Sequence, residues 1–160
     1  MSKIAPCLWF NGEAEAAAAL YVSLFPDASV AAVSRYGEGM PFPAGTAMMV
    51  EFTLAGQRFQ ALNGGPQFPH TAAISLSVDC ATQAELDHFW QGLTADGGAP
   101  GQCGWLKDRF GVSWQIVPMA LGEIMTRDDV AGKARALQAM MGMTKLDICA
   151  LEAAYAGTTP

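Results

Sequence analysis

The sequence predicts an α+β fold: two tandem β-α-β-β-β modules with curled mixed sheets forming a concave pocket surface, plus a helical C-terminal tail. Three observations carry this reading. The order strand, helix, strands occurs twice, over residues 4–63 and 73–117, at a spacing of about 67 residues. The two module helices carry bulky pairs at matching places, Leu20-Tyr21 and Phe89-Trp90. After Pro118 three stretches read as helix, near 119–126, 129–141 and 147–155.

The elements follow in order. Residues 4–10 form a short apolar run, which reads as a buried strand. Asn11-Gly12-Glu13 opens a helix that Asn11 can cap, with Glu13 at the positive end of its dipole. Ala17, Leu20, Tyr21, Leu24 and Phe25 recur at helical spacing, so that face is buried, and Pro26-Asp27 ends the helix. Residues 29–36 read as a strand and 37–45 as a Gly/Pro loop. Residues 47–54 and 58–62 are two strands of a hairpin around Ala55-Gly56-Gln57, and Asn63-Gly64-Gly65-Pro66 breaks the chain.

The order then restarts. Residues 73–79 alternate Ile74, Leu76 and Val78 with Ala73, Ser75 and Ser77, which reads as a strand. Thr82 and Glu85 form a capping box before a helix whose stripe is Leu86, Phe89, Trp90 and Leu93. A short strand near 102–107 leads through Asp108-Arg109-Phe110-Gly111 into a last strand at 113–117. The expected divisions are a first module at 1–66, a second at 67–118 and a tail at 119–160, all one structural unit.

Composition narrows the function classes. The chain has 160 residues and a net charge of −6, from 9 Lys+Arg against 15 Asp+Glu. Such a chain repels phosphate backbones and anionic membrane surfaces, so neither nucleic acid nor membrane is an expected partner. No apolar run approaches the ~20 residues that span a bilayer. The start, Met1-Ser2-Lys3-Ile4-Ala5-Pro6, leads directly into a strand without a leader pattern, so a cytoplasmic location is expected. Cys7, Cys80, Cys103 and Cys149 lack Cys-x-x-Cys spacing and read as reduced thiols.

Two strings carry a family resemblance. Pro6-Cys7-Leu8-Trp9-Phe10-Asn11-Gly12, followed by Tyr21…Leu24-Phe25-Pro26-Asp27, resembles the opening of PhnB-like proteins of the vicinal-oxygen-chelate (glyoxalase/bleomycin-resistance/dioxygenase) superfamily. The run from Gly104 to Val117 resembles their closing strand. Proteins with these strings often bear the inherited name 3-demethylubiquinone-9 3-methyltransferase. In metal-dependent members of the superfamily, four His, Gln or Glu ligands sit on the strands that open and close the modules. The resemblance maps these positions to Pro6, Ala73, Gln115 and, with less certain register, Gln60. Proline and alanine carry no donor, and the two amides are neutral, whereas a divalent ion wants charged or imidazole ligands. The expectation is no metal and no cofactor.

Strand alternation suggests what lines the pocket instead. Ser113, Gln115 and Val117 share one face of the closing strand, opposite Trp114 and Ile116. Ala73, Ser75 and Ser77 share the corresponding face of the opening strand. The candidate pocket set is therefore Gln60, Ala73, Ser75, Ser77, Trp105, Cys103, Ser113 and Gln115, offering neutral hydrogen bonds to a polar ligand. Cys103 enters because it lies in Gly101-Gln102-Cys103-Gly104-Trp105-Leu106-Lys107, although a packed thiol is the plainer role. His88 falls on the solvent face of its helix, and His70 lies in a loop able to reach the pocket mouth. A Gly37-Glu38-Gly39 loop lacks the spacing of a dinucleotide site.

The expected function is metal-independent binding of a small molecule. The alternatives are an uncharacterised activity, a lyase, isomerase or dioxygenase-type enzyme with a displaced metal site, the methyltransferase of the inherited name, or a purely structural or partner-binding dimer. Methyl transfer needs a nucleotide-cofactor fold, and no glycine-rich strand-to-helix loop is visible. The apolar tail residues Val130, Leu137, Met141, Leu146, Ile148, Leu151 and Tyr155 predict a homodimer.

Overall fold

A computed structural model describes residues 3–158. The chain divides into two compact units, Met1–His70 and Thr71–Pro160. It is an α+β structure with two four-stranded mixed sheets.

The first unit contains β1 (Cys7–Phe10), α1 (Ala14–Leu24), β2 (Ser29–Arg35), β3 (Ala47–Leu54) and β4 (Gln57–Asn63). Its sheet runs β1-β4-β3-β2, with β1 parallel to β4 and the other pairs antiparallel. Alternation puts Leu8, Phe10, Val50, Phe52, Leu54, Phe59 and Ala61 on the buried face. They meet Ala14, Ala17, Ala18 and Tyr21 of α1, whose small side chains let the helix lie close on the sheet. Leu20, Leu24 and Phe25 are only half-buried, so the buried stripe is centred on the alanines. The β3–β4 turn is two residues, Ala55 and Gly56, both at positive φ (46° and 77°), the geometry that matches hairpin twist.

One expected contact is replaced. Asn11 does not cap α1. The Asn63 side chain does, from the end of β4. Its Oδ1 accepts from the backbone N–H of Gly12 at 2.8 Å and Ala14 at 3.0 Å, and its Nδ2 donates to the Ala47 carbonyl at 2.8 Å. A donor-rich helix start must find acceptors, but a cap about fifty positions away lies outside any local rule.

The second unit repeats the order with β5 (Leu76–Cys80), α2 (Gln83–Thr94), β6 (Ala99–Pro100), β7 (Trp105–Lys107) and β8 (Ser113–Pro118). Its sheet runs β5-β8-β7-β6, with β5 parallel to β8. Trp114 and Ile116 are buried, as are all four members of the expected α2 stripe, Leu86, Phe89, Trp90 and Leu93. Thr82 Oγ1 accepts from Glu85 N at 3.2 Å, and the Glu85 carboxylate closes the box on Ala81 N at 2.7 Å.

The strand expected from Ala73 begins instead at Leu76. Ala72 and Ala73 lie in a turn, and Ile74 is 79% exposed. The partner strand explains this: the β5–β8 register starts at Leu76 opposite Trp114, so residues before 76 have no ladder to join. Ala73 therefore occupies no strand position.

Beyond β8 the chain forms α3 (Met119–Thr126), α4 (Val130–Met141) and α5 (Ile148–Ala156), close to the three expected helices. The link between α4 and α5 is pinned to the sheet. Cys103 N donates to Met143 O and Gly104 N to Thr144 O, both at 2.8 Å. Gln83 donates to Leu146 O at 3.2 Å and accepts from Ile148 N at 2.9 Å. Leu146 is fully buried beside Gly104. Among the described residues no helix is long and apolar enough to cross a membrane.

Candidate functional site

The second sheet carries a cavity of about 230 Å³, walled by Ala72, Ala99, Pro100, Trp105, Lys107 and Ser113, with parts of Gly101 and Leu106. The strand register explains how these side chains meet. Ala99 pairs with Lys107, and Lys107 with Ser113, so the three share one face of adjacent strands. Trp105 pairs with Gln115, which pairs with Ser77, making the next row of the same face. Trp114 and Ile116 alternate to the opposite, helix-covered face.

The turn between β7 and β8 holds this register. Asp108, 3% exposed, accepts from Phe110 N at 2.9 Å, Val112 N at 3.0 Å and the Trp114 indole Nε1 at 2.9 Å. A buried carboxylate with three donors is a strong clamp. It fixes five turn residues so that Lys107 and Ser113 face each other.

Of the expected pocket residues, Trp105 and Ser113 form the cavity wall. Ser113 is 2% exposed, and its Oγ meets no hydrogen-bond partner within the protein. Gln115 and Ser75 are joined, Nε2 donating to Oγ at 2.8 Å. Ser77 is exposed beside them. Ala73 stands in the exposed turn before β5. Cys103 is held by its backbone to the tail, at φ 57°. Gln60 belongs to the first unit. There it lies in register with Cys7 and Glu51, and its Nε2 donates weakly to Glu51 Oε1 at 3.5 Å. Its backbone N–H takes the Pro6 carbonyl at 2.9 Å.

Lys107, Ala99 and Ala72 were not expected as pocket residues. Lys107 needed the exact register of the 108–112 turn, which places it opposite Ser113. Ala99 depends on β6, a two-residue strand with no sequence signal of its own. His70 packs edge-on against Phe10, ring centroids 5.1 Å apart, and His88 is exposed. Cys7 reaches the surface, and partial burial of its thiol raises its pKa. Cys80 is fully buried, and desolvation, with help from Glu85 and Asp79, pushes its thiol up to about 12. Among the described residues no three His, Cys, Asp or Glu side chains converge on a point.

Comparison with known proteins places this architecture. The profile of the 3-demethylubiquinone-9 3-methyltransferase family matches residues 2–117. The chain belongs to this PhnB-like family. A PhnB protein from Bacillus cereus, whose name attaches the same methyltransferase only as a supposition, is 37% identical over 73% of this chain and 99% of that one, with a TM-score of 0.69. Protein PA1353 from Pseudomonas aeruginosa shares the fold, at 23% identity over 74% of this chain and 98% of that one, with a TM-score of 0.61. A glyoxalase/bleomycin resistance protein from Albidiferax ferrireducens T118 matches at 14% identity over 71% of this chain and 95% of that one, with a TM-score of 0.47. Among curated proteins none matches the sequence. The family match ends at residue 117, so α3 to α5 lie outside it.

The family strings are now seen to hold structure. In the first, Trp9 donates from Nε1 to Gly65 O at 2.8 Å, and its ring lies over Gly64, where a Cβ would stand 2.2 Å from Cζ2. In the second, Asp108 and Trp114 form the turn clamp described above.

Proposed function

We propose that this PhnB-like protein binds a small molecule on the concave face of its second sheet without using a divalent metal. The observation that carries the reading is the cavity itself: about 230 Å³, with walls of Ala72, Ala99, Pro100 and Trp105 and few polar groups. Small-molecule sites are typically apolar hollows with a few placed polar atoms.

The donor set supports the metal-independent form. Pro6 has no donor atom and its carbonyl is taken by Gln60 N. Ala73 has none and stands off the strand. Gln60 and Gln115 are neutral amides whose Nε2 groups donate to Glu51 and Ser75, so each could offer a metal only an uncharged carbonyl oxygen. Such a set does not offset the dehydration of Zn²⁺, Ni²⁺ or Mn²⁺. Methyl transfer from a nucleotide cofactor finds no support either. Each sheet has one parallel pair and lacks the alternating βαβ crossovers that build a nucleotide crevice.

A homodimer belongs to this proposal. Of the expected tail surface, Leu146 and Leu151 are fully buried within the chain and Ile148 and Tyr155 half-buried. Val130, Leu137 and Met141 are 74%, 40% and 63% exposed and, with exposed Ala134, form one apolar stripe along α4. A second copy is the partner such a self-complementary stripe suits.

Two measurements test the reading. Elemental analysis of protein purified without added metal is expected to give well below one equivalent per chain, with a melting temperature unmoved by EDTA. One equivalent, lost on Gln115→Ala, would establish the displaced-site enzyme instead. Native mass spectrometry is expected to show a dimer with a small-molecule adduct that denaturation removes.

A further inference from the structure

We propose that the cavity takes a small monocarboxylic acid. Its carboxylate lies between the Ser113 hydroxyl and the Lys107 ammonium, and its single ring or short branched body lies against Trp105. This rests on the small-molecule reading above and names the ligand class.

The argument begins with Ser113. It is 2% exposed, sits in the cavity wall, and its Oγ has no partner within the protein. Leaving a buried hydroxyl unsatisfied is costly, and an alanine at this place would avoid that cost. Neighbouring polar groups do not serve it: Gln115 on the same face gives its amide N–H to Ser75 at 2.8 Å. The hydroxyl oxygen is itself buried, so meeting a ligand requires the side chain to turn to another staggered rotamer.

Lys107 supplies the second donor. It is the direct cross-strand partner of Ser113 and is part of the same wall. Lys107 is exposed and, among the described residues, enters no ion pair, as is true also of Lys3, Arg58 and Lys133; of these four it alone is part of the cavity wall. An ammonium has three donors and no acceptor. The ligand atom that meets the ammonium must therefore be an acceptor, and a carboxylate can accept from the ammonium and from the serine O–H at once.

The remaining walls set the body of the ligand. Ala72, Ala99, Pro100 and the Trp105 ring offer apolar contact. At about 230 Å³ the space lies below the ~300–1,000 Å³ of sites for drug-sized ligands, so a single ring fills it. The chain's net charge of −6 opposes polyanions, which leaves one negative charge as the fitting number.

Benzoate and the neutral benzyl alcohol are the probes, followed by calorimetry and by the Trp105 indole NMR signal in the full chain. Saturable benzoate binding is expected, tighter than benzyl alcohol. Ser113→Ala should weaken benzoate about fivefold, the worth of one net hydrogen bond. Lys107→Gln should weaken benzoate about tenfold and benzyl alcohol far less, as expected of a charge-assisted contact. Without probe, Ser113→Ala should melt about 2–4 °C higher, because an unpartnered buried hydroxyl has gone. A lower melting temperature would mean the hydroxyl has a structural partner, and the proposal falls. If benzyl alcohol binds as well as benzoate and Lys107→Gln affects neither, the acid class is wrong while a pocket remains. If neither probe binds at millimolar concentration, the acid class is wrong, and the adduct seen or not seen by native mass spectrometry decides separately on the pocket.

Discussion

The two units share one strand order yet are held together differently. In the first, β3 and β4 pair without a break over six register positions, and β2 and β3 pair over six more with two register shifts. In the second, β7 pairs with β8 over three positions and with β6 over two. Short ladders leave the second sheet short of backbone bonds. Two devices make up the difference: the buried Asp108 clamp and the α4–α5 link that bonds Cys103, Gly104 and Gln83. The first unit has its own buried polar residue, Asn63, but that one caps a helix instead of holding a turn. The comparison teaches that a repeated order of elements does not imply repeated energetics. It also teaches that the cavity lies in the unit whose sheet depends most on side chains.

The largest expected effect breaks the second unit's clamp. Asp108→Ala strands the N–H groups of Phe110 and Val112 and the indole of Trp114 in a buried turn. The cost should be about 4 kcal/mol, from several donors left partly unsatisfied. Urea unfolding measures it. A cost under about 1 kcal/mol, the value of a single net hydrogen bond, would show that the turn does not need the clamp.

Leu146→Ala tests the tail. Leu146 is fully buried against Gly104, although the family match ends at residue 117. Emptying such a site costs about 3 kcal/mol. Hydrogen exchange should localise the loss to the second unit, with the Cys103 and Gly104 amides exposed early. A loss spread equally over β3 and β4 would contradict the division of labour drawn above.

Gly64→Ala asks the same question of the first unit. Its Cβ would stand 2.2–2.5 Å from ring atoms of Trp9, so the indole must move and its bond to Gly65 O must stretch. Overpacking of this kind costs about 2 kcal/mol. A change in Trp9 fluorescence with no effect on the Trp105 NMR signal would place the damage in the first unit.

Much of this fold was legible in the sequence, and the gaps have physical causes. The α2 stripe, the 47–54 strand and the three tail helices were legible because each is governed by local periodicity and capping. The start of β5 was not, since Ala73 to Val78 alternates whether or not a partner strand lies alongside, and β8 begins too late to pair it. The cap of α1 was not, because Asn63 is remote in sequence. At the candidate site, the face shared by Ser113 and Gln115 followed from period two. The role of Lys107 needed the exact hairpin register, and the unpartnered state of Ser113 Oγ needed the positions of all its neighbours.

The smallest effect concerns how the tail docks on α2 from outside. Lys145 forms an ion pair with Asp87 on that helix, with both side chains more than a third exposed. The Lys145 hydrogen bond, and after it that of Gln83, hold the Asp87 carboxyl below its usual range. A carboxyl depressed in the folded state adds stability above its unfolded pKa of ~3.9. That contribution fades as pH falls below this value and is gone once pH has passed the folded value. Solvent and salt screen an exposed pair, so Lys145→Met should lower the melting temperature only slightly at pH 7. The gap from the unsubstituted protein should narrow from pH 4 downward and should also shrink in high salt. A gap that holds constant through that range would mean that Lys145 acts through its apolar stem, packing the link onto α2, and not through its charge. Either way the effect should stay far below that of Leu146→Ala, because the buried leucine removes apolar surface from water while the ion pair stays largely in it.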